Sequence, residues 1–187
     1  MSRPARIYLT GFMGSGKSTV GPEVAAALGY AFVDLDEAVA AEAGRPVADI
    51  FAEAGEAGFR AREARMLRRT GAWEGVVVAL GGGALADEDN LAWALGHGTV
   101  VYLHVPPETL AARLRGAGQA GRPLLCDEAG KPLPPAELRA KVEAMLVRRE
   151  PFYRRAHVVV EADAGDAKAA AGAVLRALGV APGGDVR

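Results

Sequence analysis

Eight residues constrain this chain more than any others: Gly11-Phe12-Met13-Gly14-Ser15-Gly16-Lys17-Ser18. They follow a short apolar run, Ile7-Tyr8-Leu9-Thr10, and lead into Lys17 to Leu28, which reads as a helix stopped by Gly29. A strand, a glycine-rich turn ending in Gly-Lys-Ser and a helix together make the phosphate-cradling P-loop. Glycines let successive backbone N–H groups turn toward one anion, and the helix N-terminus adds positive potential. Gly14, Ser15, Gly16, Lys17, Ser18 and Thr19 are therefore the expected nucleotide contacts. Lys17 is placed to reach the β- and γ-phosphates of ATP, and the Ser18 hydroxyl to ligate Mg²⁺. Pro22 falls about one turn into the helix, where it removes a hydrogen bond and crowds a carbonyl, so a kink or a loosened first turn is expected there.

The rest of the chain repeats the alternation of strand and helix. Ala31-Phe32-Val33 reads as a strand ending at Asp34, Val76 to Leu80 as a fully apolar central strand, Thr99 to Leu103 as a fourth strand and His157 to Val160 as a fifth. Between them lie helical stretches at Glu37–Ala43, Val47–Ala54 and Glu56–Arg69, divided by Gly44, Pro46 and Gly55. Asp87 to Asn90 caps another helix, Pro106-Pro107-Glu108 opens one that continues to about Arg115, Pro135 to Arg149 is helical up to a stop at Pro151, and Asp166 to Leu178 is the last. Arg115 to Pro134, rich in Gly, Pro and Arg, reads as a mobile loop, and Ala181 to Arg187 as a loose tail. The pattern specifies an α/β fold, a P-loop three-layer sandwich around a five-stranded parallel sheet. Ligands in such sheets bind beyond the carboxyl ends of the strands, which singles out Gly11, Asp34 and Gly81.

Composition removes several function classes. With 187 residues, 22 Lys+Arg against 23 Asp+Glu, and a net charge of −1, the chain lacks the basic footprint of a nucleic-acid binder. One Cys excludes an intramolecular disulfide framework. The longest uncharged stretch, Gly75 to Ala86, is broken by three glycines and is too short to span a membrane, and Ile7-Tyr8-Leu9 is too short for a signal-peptide core. A soluble cytoplasmic protein is expected. No Asn/Thr-Lys-x-Asp element reads guanine, and the chain is short for a motor or transporter ATPase, so a small-molecule kinase fits best. His97, His104 and His157 lack metal spacing, and Trp73, Trp93 and Tyr153 read as packing residues.

The acceptor side begins at Asp34-x-Asp36. A strand-end Asp34 suits a water-held Mg²⁺, and Asp36 suits either a hydroxyl-orienting base or a plain cap of the helix at Glu37. Here the residues carry a resemblance. The P-loop, Asp34-x-Asp36, the segment Gly44-Arg45-x₄-Ile50-Phe51-x₃-Gly55-Glu56-x₂-Phe59-Arg60-x₂-Glu63, Gly81-Gly82-Gly83, Arg122-Pro123-Leu124-Leu125 and Arg149-x₃-Tyr153 occur in one order. Together they resemble the shikimate kinases from about Ile7 to Val160.

The resemblance implies one kinase domain over residues 1–187, with a substrate-binding segment at about 35–62 and a lid at about 113–134. It implies ATP as donor, shikimate as acceptor, and a monomer without nucleic-acid or membrane partners. Asp36 becomes the base or orienter that contacts shikimate hydroxyls, Arg60 and Arg149 hold the carboxylate, and Gly81, Gly82 and Gly83 give close backbone contact. Arg122 reaches the transferring phosphoryl group from the lid, Arg115 lies near adenine, and Asp34 assists Mg²⁺. Guanidinium forks suit a carboxylate, and glycines admit a ligand where a side chain would block it. Taken without the pattern, Arg60 reads sooner as part of a solvated face with Arg62, Arg65, Arg68 and Arg69, and Arg148 competes with Arg149. The sequence departs from the family pattern in a long 127–132 segment and in Pro22. A gluconate kinase, which shares the Asp-x-Asp pair, is disfavoured by the triple glycine and the Arg60 segment. A nucleotide sensor without turnover is disfavoured by the joint presence of Lys17, Ser18, Asp36 and Arg122.

Overall fold

The computed structural model describes residues 3–115, 122–127, 129–162 and 166–180. Five parallel strands, β1 (Arg6–Thr10), β2 (Ala31–Asp34), β3 (Val76–Ala79), β4 (Thr99–His104) and β5 (Val158–Glu161), form one sheet in the order β2-β3-β1-β4-β5. Among the described residues seven α-helices surround it: α1 (Lys17–Leu28), α2 (Leu35–Ala43), α3 (Val47–Arg69), α4 (Glu88–His97), α5 (Pro107–Arg113), α6 (Pro135–Tyr153) and α7 (Ala167–Ala177).

The period-two pleat divides the strand residues between two cores. Ile7 and Leu9 of β1 join Val77, Val101 and Val160 beneath α1, α6 and α7, whereas Tyr8 joins Val76, Val78 and Val100 against α2, α3 and α4. Because both faces are covered, the central strand β3 is apolar at every position, as its sequence requires. The order places β1 between β3 and β4, so the loops after β1, β2 and β3 open on one edge of the sheet.

Three local expectations need comment. α1 runs from Lys17 to Leu28 with Pro22 inside it, and Gly21, just before the proline, leaves room for the Phe32 ring that a side chain would strike. α6 does not stop at Pro151 but runs to Tyr153. Pro151 and Val147, whose carbonyl a residue at 151 would normally bond, both lie on an exposed face, where the lost hydrogen bond costs least, and Arg154 N–H still bonds Glu150 O at 2.9 Å. Gly55 ends the first helical piece of α3 as expected, with φ 66° and ψ −177°, though the two pieces abut without a loop.

The Arg115–Pro134 loop holds a short 3₁₀ turn at Pro123–Leu125 and a bridge between Cys126 and Pro132, while 116–121 and 128 lie outside the described residues. The expected tail at 181–187 also lies outside them. No helix among the described residues is long and apolar enough to cross a membrane.

Candidate active site

The P-loop closes tightly on itself. Gly11 takes φ +143°, where a Cβ would stand 2.7 Å from the Leu103 carbonyl, and Gly16 takes φ +98° as it turns the chain into α1. Lys17 Nζ lies back along the loop, donating to the carbonyls of Gly11 at 2.8 Å and Phe12 at 3.0 Å. Burial pulls its ammonium down to about 8, partly offset by the charges of Asp36 and Asp34. The loop, Thr19, Asp34, Asp36 and Gly82 border a cavity of about 430 Å³, closed by Arg113, Arg122 and the start of α7 at Asp166 and Ala167.

Asp34 has three partners among the described residues. Its Oδ2 accepts from Ser18 Oγ at 2.6 Å, and its Oδ1 accepts from the N–H of Asp36 at 3.0 Å and from that of Glu37 at 3.5 Å. Asp34, not Asp36, is therefore the N-cap of α2, which starts at Leu35. Freed from that duty, the Asp36 side chain lines both the P-loop cavity and a second one. Burial raises its carboxyl above the usual range, Asp34 adds to the rise, and Lys17, Arg60 and Arg122 oppose it.

The second cavity, about 120 Å³, has an apolar wall of Val47, Phe51, Phe59 and Leu124 and a polar one of Asp36, Arg60, Arg122 and Arg149. Gly82 and Gly83 form its floor, and a Cβ on Gly83 would stand 2.5 Å from Arg60 Nη2. Arg149 Nη1 donates to the Gly82 carbonyl at 3.1 Å, the Tyr153 hydroxyl donates to the same oxygen, and the Arg149 guanidinium lies over the Phe12 ring. Arg60 is held by Glu63 Oε2 at 2.6 Å and by Glu56 at 3.2 Å. The two cavities share Met13, Asp36, Gly82 and Arg122. The fold thus puts a phosphate cradle beside a small, cationic, aromatic-walled acceptor pocket, an arrangement suited to phosphoryl transfer onto a small anion.

A sequence model of the shikimate kinase family matches residues 13–179. The chain belongs to that family. It is 54% identical over 160 residues to a shikimate kinase of Salinibacter ruber, covering 86% of this chain and 78% of the relative. Among solved structures it is similar to a shikimate kinase from Acinetobacter baumannii in complex with shikimate, at a TM-score of 0.83 and 35% identity, covering 92% of this chain and 91% of that one. It is also similar to one from Bacteroides thetaiotaomicron, at a TM-score of 0.86 and 35% identity, covering 95% and 99%. Shikimate kinases are ATP-dependent small-molecule kinases, and the fold expected from the alternating pattern is the one this family has.

Most residues that the family pattern singled out converge. Gly14 to Thr19, Asp34, Asp36, Gly82 and Arg122 meet at the first cavity, and Asp36, Arg60, Gly82, Gly83, Arg122 and Arg149 at the second. Arg148 is exposed, so the choice between the neighbouring arginines falls to Arg149. Arg115 is exposed just past α5 and borders neither cavity; Arg113, two residues earlier, borders the first. Gly81 borders neither and packs behind, against Glu63 and Asp36. Arg113 was not singled out from sequence, and Glu63 stood in the family segment without a role. Glu63 stands three residues after Arg60, a spacing that places both on one helix face, and this was the available signal.

Proposed function

We propose that this chain transfers the γ-phosphoryl group of ATP to the 3-hydroxyl of shikimate, giving ADP and shikimate 3-phosphate. The observation that supports it best is the shared wall of the two cavities, where Asp36 and Arg122 face both the P-loop and the acceptor pocket. A donor phosphoryl group and an acceptor hydroxyl held there meet in line, and positioning supplies most of the catalysis in such a loose transition state.

Lys17 releases its loop carbonyls to the β- and γ-phosphates, and the backbone from Gly14 to Thr19 cradles them. Arg60 and Arg149 grip the carboxylate of shikimate, with Gly82 and Gly83 letting the ring lie close to the backbone and Gly81 packed behind them. Asp36 aligns the 3-hydroxyl and takes its proton late; Arg122 neutralises charge on the transferring oxygens. Ser18 and Asp34 present adjacent oxygen donors, the hard ligands that suit Mg²⁺. A Mg²⁺ held there would supply positive charge to offset that of the phosphates. Arg113 flanks the nucleotide from the end of α5.

On this reading, residues 1–187 are one kinase domain, with about 35–62 as the substrate segment and about 113–134 as a lid that carries Arg122 and excludes water. The protein works as a cytoplasmic monomer. An ADP-release assay with Mg-ATP and shikimate, gluconate or no acceptor tests the proposal. Release that depends on shikimate, with a phosphorylated product, is the expected result. Release with gluconate alone, or equal release without acceptor, overturns it.

A further inference from the structure

Behind the acceptor pocket two carboxyl groups meet in a buried place. Glu63 is fully buried and borders neither cavity. Its Oε2 accepts from Arg60, but its Oε1 has no protein hydrogen-bond partner among the described residues, and neither has Oδ1 of Asp36. These two oxygens border the same small space beside Gly81, where a Cβ would overlap Glu63 Oε1 and stand 2.6 Å from Asp36 Oδ1. They therefore lie within about 5 Å of each other, a range at which two buried carboxylates do not both ionise readily. The charged and titratable groups around Glu63 are Arg60 on its own helix, Asp36 on α2, and Arg149 and Tyr153 on α6. Arg60 already shares its guanidinium with Glu56, and Arg149 and Tyr153 donate to the Gly82 carbonyl.

We propose that Glu63 is carried as the neutral acid and donates a hydrogen bond from its Oε1–H to Asp36 Oδ1, which makes it a positioning residue for Asp36. The proton ties down one oxygen of Asp36, lets that carboxylate keep its charge, and leaves the other oxygen for the acceptor hydroxyl. Gly81 is part of the device, because any side chain there would part the two carboxyls. Burial and the neighbouring Asp36 both favour the neutral form of Glu63, pushing it up to about 7 against the pull of Arg60. The catalytic consequence rests on the kinase reading above; the protonation does not.

Two measurements test this. The first is a carbon NMR titration of the full-length chain labelled at glutamate carboxyls. One resonance, absent from Glu63→Gln, should titrate near pH 7 rather than near the ordinary value of about 4.3. A Glu63 resonance already ionised at about pH 5 overturns the proposal, including the case in which a bridging water separates two charged carboxylates. The second is kinetic. Glu63→Gln, whose amide can donate to Asp36 and accept from Arg60, should turn over at least ~10-fold faster than Glu63→Ala. Its kcat/KM for shikimate should also lack the fall above about pH 7 expected of the unsubstituted enzyme. A Gln variant no better than Ala means that a charged Glu63 is required, and the proposal fails. If the unsubstituted chain shows no shikimate-dependent turnover, the kinase reading fails and the titration still decides the protonation.

Discussion

At the scale of single residues, the site depends on which charged groups have structural partners and which are left for ligands. Arg60 is oriented by Glu63 and Glu56, yet its guanidinium still lines the acceptor pocket. Arg60→Ala should therefore raise the KM for shikimate about 10- to 100-fold, the range of one or two charge-assisted hydrogen bonds, with a smaller effect on kcat. Steady-state kinetics at saturating ATP checks this; an unchanged KM would remove Arg60 from the acceptor site. Glu63 also leaves a mark on stability. Its carboxyl sits near 7 in the folded protein, above an unfolded value of 4.5, so folding takes up a proton between these two pH values. Its contribution is full below about pH 4.5 and is lost as pH rises to about 7, a change of about 3 kcal/mol at most. Urea unfolding at several pH values should show stability falling across that window relative to Glu63→Gln, which carries no titrating group there.

At the scale of elements, the acceptor pocket owes its aromatic wall to one glycine. Phe51 and Phe59 lie eight residues apart, which on a straight helix separates them by about 12 Å along the axis. Their ring centroids are 4.8 Å apart, because Gly55 at φ 66° and ψ −177° folds the first piece of α3 back on the second. Only glycine adopts that conformation without strain, so Gly55→Ala should cost about 1–3 kcal/mol and loosen the pocket. Thermal unfolding together with the KM for shikimate checks both parts. Gly55 was legible as a break because a lone glycine between two helical stretches is a local signal. Pro151 misled because the missing N–H matters only when its carbonyl partner is buried, and the exposure of Val147 is decided by how α6 packs. Asp34 was legible as a strand-end acid, but its capping of α2 was not, since the cap residue depends on where the helix begins. The P-loop was fully legible because its chemistry is contiguous. The nearness of Asp36 to Glu63 was not, because those residues lie on different helices and both approach Gly81 in the loop after β3.

At the scale of the whole molecule, two cavities built from different parts of the chain have to act as one site. The nucleotide side draws on the loop after β1 and the start of α7, the acceptor side on α3 and α6, and the link between them is Asp36, Met13, Gly82 and Arg122. Of these only Arg122 carries positive charge, and it comes from the segment between α5 and α6 rather than from the sheet. Burial lowers its guanidinium pKa, with Asp36 opposing, so the charge is held out of water where its influence on a passing phosphoryl group is strongest. On the proposed function each ligand keeps its own anchors without it, the P-loop and Lys17 lining the first cavity and Arg60 and Arg149 the second. Arg122→Ala should accordingly preserve the stabilisation that Mg-ATP or shikimate gives separately in thermal unfolding, while kcat falls about 10²–10³-fold. A loss of ligand-induced stabilisation as large as the loss of turnover would make Arg122 a binding residue of one cavity rather than the group that joins the two.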